Sequence, residues 1–190
     1  FTLPLLALLV TSFLFHFSSV AQTYGKNGMV VSDNVVASQT GTNVLKKGGN
    51  AIDAAVATAF ALAVTHPQAG NIGGGGFLVF MDSSGSSTTI DFREKAPLLA
   101  SANMFLDEQG NLIQGSNHRG LKSVGVPGTV AGLYLAHQKY GILPWKDIVQ
   151  PAIDLATDGV ILSFTLAQHA KRMQASSAPE FLKNYYNNSE

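Results

Sequence analysis

Residues 71–94 read NIGGGGFLVFMDSSGSSTTIDFRE, and this stretch decides the fold. It contains an apolar run at 77–81 and a second run at 88–92, separated by a polar loop that includes Gly85. The side-chain pattern of the two runs is typical of strands joined in a β-hairpin. The first run is apolar throughout, which predicts a central strand.

Four consecutive glycines, residues 73–76, stand directly before the first predicted strand. Their spacing matches neither the GxGxxG fingerprint nor the GxxxxGK[ST] phosphate loop, which disfavours a phosphate site. Successive glycines allow a positive φ, or the close approach of another backbone or a ligand. We interpret these glycines as scaffold.

Helical patterns flank the predicted hairpin. Asn50 is a favoured N-cap with Asp53 three residues further on, and residues 51–64 are apolar on nearly every face, which predicts a helix buried all round. His66 and Pro67 end that helix. The other expected elements are a short strand at 28–32, a helix at 35–47, a strand at 123–126, helices at 129–140 and 144–157, and a last helix after Ser163.

The helix expected at 144–157 has one apolar stripe, which should face a core. Pro151 lies within it and predicts a kink or a break into two pieces. The stripe consists of Ile148, Val149, Ala152, Ile153 and Ala156.

Composition excludes several classes of function. The chain has 190 residues, 46% of them apolar and only 13% charged, which indicates a largely buried, layered piece. Twelve basic and 12 acidic side chains give a net charge of zero, without the basic patch that nucleic-acid binding needs. There is no cysteine, no GxSxG or HExxH motif, and no pair of the 5 histidines at ligand spacing. We therefore expect no metal site and no cofactor.

Both ends of the chain carry signals of their own. Residues 3–17 are almost continuously apolar and small residues follow, which predicts a secretory signal peptide at 1–21 and an exported, periplasmic or extracellular protein. Because an initiating methionine and a charged n-region are missing, we expect its start to be incomplete. A membrane anchor is disfavoured, since about 20 apolar residues are needed and His16 interrupts the run. The polar tail at 176–190 predicts truncation at the C-terminus.

Arg93 closes the second predicted strand and is the candidate binding residue. A planar guanidinium grips a carboxylate through two parallel hydrogen bonds. Spacing alone favours a simpler alternative, an exposed ion pair with Asp91 on the same face, and Glu94 points the other way.

Four motifs in this order closely resemble the large-subunit part of gamma-glutamyltransferases, the glutathione hydrolases. The likeness runs over about residues 28–159 and continues more weakly to Met173. The motifs are Asn71-Ile72-Gly73-Gly74-Gly75-Gly76-Phe77, Asp91-Phe92-Arg93-Glu94-Lys95-Ala96-Pro97, Val126-Pro127-Gly128-Thr129-Val130-Ala131-Gly132 and Gln150-Pro151-Ala152.

This resemblance implies an α+β fold, the four-layer αββα sandwich of N-terminal-nucleophile hydrolases, present here only in part. Residues 22–190 would be the N-terminal portion of the large subunit. Members of that family are exported precursors that cut themselves into a large and a small subunit. Their nucleophile is the new N-terminal threonine, which takes the glutamyl group from glutathione or another gamma-glutamyl compound. Water, an amino acid or a peptide then accepts that group.

The resemblance assigns one site residue, Arg93, which corresponds to the arginine that binds the glutamyl α-carboxylate. It implies no catalytic residue within this chain, because the threonine would lie beyond Glu190, and it implies that this piece alone is inactive. The threonines at 40, 42, 58 and 65 are not candidates for the nucleophile.

Two other functions stay open. One is a related amidase of the same superfamily, of the cephalosporin acylase or poly-gamma-glutamate-processing type, although the DFRE motif at 91–94 favours a gamma-glutamyltransferase. The other is a non-catalytic exported binding module, in which Arg93 forms only an ion pair.

Overall fold

A computed structural model describes residues 24–175, without the side chains of 173–175. The predicted signal peptide and the polar tail therefore lie outside the described residues. Within 24–175, every helix is too short or too polar to cross a bilayer. The elements are α1 (Val35–Lys46), α2 (Ala51–Thr65), β1 (Phe77–Met81), β2 (Ser87–Asp91), α3 (Thr129–Tyr140), α4 (Trp145–Asp158) and α5 (Phe164–Ala175), with a short 3-10 turn at Leu121–Ser123.

The first two helices begin where their capping residues predict. The side chain of Asn34 accepts hydrogen bonds from the backbone N–H groups of Val36 and Ala37 at the start of α1. At the start of α2, Asn50 and Asp53 form a complete capping box. Each cap satisfies N–H groups that have no partner within the helix. Both predicted helices are confirmed to within one residue at each end.

Helix α2 lies at the centre of the core, as its apolar sequence predicts. Val56, Ala57 and Ala61 are fully buried, and α1 and α4 pack against it. The ring of Trp145, at the start of α4, contacts Phe60 edge-on with 5.7 Å between the ring centroids. The core therefore sits between helices, and the hairpin closes it on one side.

Asp53 has a second role beyond the capping box. Its side chain is fully buried, and it accepts hydrogen bonds from the backbone N–H groups of Ile142 and Leu143 at 3.2–3.3 Å. His137 Nε2 lies 3.6 Å from Asp53 Oδ1 and 2.8 Å from the carbonyl oxygen of Leu143. Because a carbonyl only accepts, that ring nitrogen carries a hydrogen. Asp53 thus joins the start of α2 to the α3–α4 turn.

Strands β1 and β2 form the predicted antiparallel hairpin, with Phe77 opposite Asp91 and Phe80 opposite Thr88. One face of the hairpin, which includes Phe80 and Ile90, packs on the helical core. Among residues 24–175 the sheet has two strands, so the prediction of a central β1 is not tested by this part of the fold. Alternate residues of β1 are exposed.

Two other predicted strands are not formed. Residues 28–32 are extended, and Val30 packs on the core, but no described segment forms a ladder with them. Residues 123–126 form only an isolated bridge, from Val126 to Lys95. Both predictions rested on side-chain pattern, which does not supply a partner strand.

The later helices follow their predictions closely. Helix α3 ends at Gly141 as expected. Helix α4 is continuous through Pro151, so of the two predicted alternatives, a kink or a break, the break is wrong. Of its predicted core stripe, Ile148, Val149 and Ala152 pack in or against the core, whereas Ile153 and Ala156 are exposed. The last helix also forms, beginning at Phe164.

Candidate functional site

Hydrogen bonds hold the backbone around Arg93 from two sides. The N–H of Phe92 donates to the carbonyl of Gly76 at 3.0 Å, which extends the hairpin by one bond. Lys95 and Val126 exchange two backbone hydrogen bonds, of 2.8 and 3.2 Å. The main chain at Arg93 is therefore fixed between the glycine run and the segment that precedes α3.

Glycines pack directly on this fixed backbone. A Cβ added to Gly75 would lie 2.7 Å from Arg93 Cα, and one added to Gly128 would lie 2.0 Å from the carbonyl oxygen of Phe92. A Cβ on Gly132 would lie 2.1 Å from Cγ of the Phe92 ring. Real Cβ atoms essentially never approach other atoms so closely. Glycine is therefore required at these three positions.

The glycines of residues 73–76 allow other atoms to pack closely against the backbone, and they do not adopt unusual dihedral angles. None of Gly73, Gly74, Gly75 or Gly76 has a positive φ. A Cβ at Gly73 would meet no atom within 4 Å, whereas at the other three it would come within 3 Å of a neighbour. The sequence allowed two explanations for these glycines. The explanation by close approach of another part of the chain is confirmed, and the explanation by a positive φ is wrong.

Asn71 and Gly74 connect the glycine run to the start of α3. The side-chain oxygen of Asn71 accepts from Gly74 N at 2.9 Å and from the Thr129 hydroxyl at 2.5 Å. The carbonyl of Gly74 accepts from the N–H groups of Gly128 and Thr129 at 2.8 and 3.0 Å. It thereby caps a helix that has no side-chain cap. The sequence did not predict these contacts, because the partners lie far apart in the chain.

The Arg93 side chain, in contrast, is exposed. Asp91 Oδ1 accepts a hydrogen bond of 3.0 Å from the backbone N–H of Arg93, so Asp91 contacts the main chain and not the guanidinium. Within residues 24–175, both ion pairs are between a histidine and an aspartate, and neither involves Arg93. The guanidinium carbon lies over the Phe77 ring, 5.8 Å from its centroid. The alternative of an Asp91–Arg93 ion pair is not formed.

Three of the four motifs meet at Arg93, and the fourth does not. Gln150, Pro151 and Ala152 lie on α4, where Ala152 is part of the core. The side chain of Gln150 donates to Asp154 one turn further on, at 2.7 Å. This motif therefore shapes the helical layer.

The four threonines that the sequence analysis set aside as nucleophiles are engaged in local structure. The hydroxyl groups of four threonines donate to backbone carbonyls one helical turn earlier, at 2.7–3.0 Å. Across residues 24–175, no three His, Asp or Glu side chains are placed to hold a metal ion together. The four threonines are Thr40, Thr42, Thr58 and Thr65.

The helical layer on one face of a sheet, with an exposed arginine at the strand end, belongs to a known class of fold. It is part of the αββα sandwich of N-terminal-nucleophile hydrolases, as the α+β prediction requires. A sequence model described as Gamma-glutamyltranspeptidase matches residues 37–190. The chain therefore belongs to the gamma-glutamyltranspeptidase family.

Individual relatives support this assignment. The chain is 48% identical to a glutathione hydrolase proenzyme of Pseudomonas sp. (strain A14), over 98% of this chain and 32% of the relative. It is 51% identical to a glutathione hydrolase proenzyme of Escherichia coli (strain K12), over 81% of this chain and 27% of the relative. The crystal structure of Helicobacter pylori gamma-glutamyltranspeptidase superposes with a TM-score of 0.76 at 48% identity, over 81% of this chain and 44% of that chain. The chain thus spans about a third of the length of these curated relatives.

Proposed function

We propose that this chain is part of an enzyme that cleaves gamma-glutamyl amides such as glutathione, and that Arg93 binds the α-carboxylate of the glutamyl group. The observation that carries the proposal is an exposed guanidinium on a backbone fixed by glycine contacts and hydrogen bonds. This guanidinium forms no ion pair with any residue in the described range 24–175. Relatives that share about half of their residues with this chain are glutathione hydrolase proenzymes. Their similarity also favours this substrate class over a related amidase.

Fixing the backbone matters for recognition of a carboxylate. A loop that must be ordered when a ligand binds costs free energy, and a main chain that is fixed beforehand avoids that part of the cost. The guanidinium fork offers N–H donors that match the two oxygens of a carboxylate. A glutamyl group that is bound through these hydrogen bonds would hold its γ-carbonyl at a constant distance from Arg93.

The reaction would proceed through a threonine acyl-enzyme. The hydroxyl oxygen of the threonine attacks the γ-carbonyl carbon while its own α-amine takes the hydroxyl proton. The amide C–N bond then breaks, and the amine leaves with that proton. Water, or the amine of an amino acid or peptide, attacks the resulting ester and restores the hydroxyl. We place this threonine in the part of the relatives' length that these 190 residues do not match.

Processing, location and activity of the isolated piece follow from the same proposal. Because the relatives are proenzymes, we propose a precursor that is cleaved into two subunits, of which the small subunit carries the threonine at its new N-terminus. The apolar run at 3–17 supports export, by way of a signal peptide, to the periplasm or the cell exterior. The 190 residues alone should be inactive. They contribute Arg93 but not the nucleophile.

The test is release of a chromophore from a gamma-glutamyl anilide by the full-length gene product. Arg93→Ala removes a charged hydrogen-bonding group, worth about 1.5–3 kcal/mol, so KM should rise about 10- to 150-fold. Arg93→Lys keeps the charge but loses the fork, and its KM should be intermediate. Arg119→Ala, at another exposed arginine, is the matched control and should leave KM unchanged.

Two results would contradict the proposal. An unchanged KM in Arg93→Ala would remove Arg93 from the binding site. A full-length wild-type protein that releases no chromophore would favour the non-catalytic binding module.

A further inference from the structure

The ring of Phe77 lies beneath the Arg93 guanidinium. The guanidinium carbon is 5.8 Å from the ring centroid, within the range of about 6 Å over which a cation is attracted to an aromatic face. Phe77 is the first residue of β1 and is 66% exposed, so it is not a core residue. Its large apolar side chain has little reason to be there for packing.

The hairpin register explains how the two side chains meet. Phe77 pairs directly with Asp91, and residues paired across an antiparallel ladder share a face of the sheet. Arg93 follows Asp91 by two residues, and its backbone N–H donates to the Asp91 carboxylate at 3.0 Å. Asp91 therefore holds the main chain of Arg93, and Phe77 lies under the far end of its side chain.

We propose that Phe77 is a positioning residue for substrate binding, which holds the Arg93 guanidinium in the orientation that receives the glutamyl carboxylate. This inference rests on the proposed role of Arg93. An aromatic ring interacts with a cation through its face, whereas guanidinium donors lie in the guanidinium plane. Phe77 can therefore restrict Arg93 without occupying the N–H groups that the carboxylate needs.

The competing explanation is that Phe77 only forms part of the apolar outer face of β1. Val79 and Met81 lie on that face and are as exposed as Phe77. Val79 is 77% exposed and has no aromatic ring with which to attract a guanidinium. Val79→Ala is therefore a matched control for loss of apolar surface at this strand.

The experiment is a double-mutant cycle in the full-length gene product, with KM and kcat measured on a gamma-glutamyl anilide. Phe77→Leu should raise KM about 2- to 5-fold, the size expected for an exposed cation–aromatic contact, and should leave kcat unchanged. Phe77→Tyr keeps the aromatic face and should restore KM, and Val79→Ala should not change it. In the Arg93→Ala background, Phe77→Leu should have no further effect.

The outcomes separate this inference from the proposed function. If Arg93→Ala leaves KM unchanged, the role of Arg93 itself is wrong. If Arg93→Ala raises KM but Phe77→Leu does not, or raises it equally with and without Arg93, the positioning role of Phe77 is overturned. If Phe77→Leu fails to fold, Phe77→Ile, which suits a strand, and Phe77→Tyr provide the same comparison.

Discussion

Asp53 and Arg93 are both charged residues, and the fold treats them in opposite ways. Asp53 is fully buried, and its carboxylate accepts hydrogen bonds from the backbone N–H groups of Asn50, Ile142 and Leu143. Arg93 is exposed, its backbone N–H donates to Asp91, and its guanidinium lies over the Phe77 ring. The Asp53 carboxylate is hydrogen-bonded within the fold, whereas the Arg93 guanidinium forms no ion pair among residues 24–175.

This difference separates a charge that is used within the fold from one to which we assign a ligand under the proposed function. A buried carboxylate is tolerated only when donors surround it, so Asp53 has no capacity left for a substrate. An exposed guanidinium on a mobile loop would bind weakly, because ordering it costs free energy. In the proposed site, the glycine contacts that fix the main chain of Arg93 would lower that cost in part.

The largest effect should come from Asp53→Ala. This change leaves the N–H groups of Asn50, Ile142 and Leu143 without their acceptor and removes the carboxylate beside His137. Leaving one donor without its acceptor costs about 1–3 kcal/mol, and here three N–H groups lose theirs together, so the total should be larger. Urea unfolding of the full-length gene product should show this loss of stability.

Asp147→Ala provides the control for this prediction. Asp147 occupies the first turn of α4 as Asp53 does in α2, but it is exposed. Only its interaction with the helix dipole is lost, which is worth about 0.3–1 kcal/mol. Equal destabilisation by the two changes would mean that burial does not distinguish Asp53.

A smaller effect is expected from Gly128→Ala, which tests whether the main chain at Arg93 is fixed by packing. The new Cβ would lie 2.0 Å from the Phe92 carbonyl oxygen, so backbone has to move. Overpacking of this kind costs about 1–3 kcal/mol. Urea unfolding should show the loss, and KM for the anilide should rise because Arg93 shifts with Phe92.

Gly73→Ala is the matched control within the glycine run. Its Cβ would meet no atom within 4 Å and its φ is not positive, so stability should be unchanged or slightly higher. If Gly73→Ala and Gly128→Ala destabilise equally, the glycines act through chain flexibility and not through close contact.

Much of this fold was predictable from local sequence, because its determinants are local. The capping box of Asn50 and Asp53 spans three residues, and the hairpin is marked by its own loop. The sequence pattern predicts the second strand at 88–92, and the structure has it at Ser87–Asp91. The pattern predicts the hairpin but not its register, so the pairing of Phe77 with Asp91, and with it the contact between Phe77 and Arg93, was not predicted.

Contacts between distant parts of the chain were not predictable. The bond from Ile142 N to Asp53 spans 89 residues, and no periodic pattern encodes it. The same holds for Asn71 and Thr129, 58 residues apart, which join the glycine run to α3. The role of Arg93 came from resemblance, because spacing alone favoured an ion pair that the structure does not contain.

The smallest effect on stability should come from weakening the turn hydrogen bonds of Asp82 and Asp107. These residues test whether hydrogen bonding without burial is enough to make a carboxylate structural. Each carboxylate accepts backbone N–H groups in a tight turn, as Asp53 does, but both are exposed. A hydrogen bond from the Ser84 side chain lowers the pKa of Asp82, and a backbone hydrogen bond from Asn111 lowers the pKa of Asp107. Their contribution to stability is therefore complete above the ordinary value of 3.8 and is lost as pH falls through the lower folded value.

Carbon-13 NMR titration of the side-chain carboxyl groups should give midpoints below 3.8 for both residues. Ser84→Ala removes the 2.5 Å hydrogen bond to Asp82 and should raise its midpoint, while that of Asp107 stays unchanged. Stability near neutral pH should change much less than in Asp53→Ala, because water replaces the lost bond at an exposed turn. A loss as large as that of Asp53→Ala would show that hydrogen bonding, and not burial, makes a carboxylate structural in this fold.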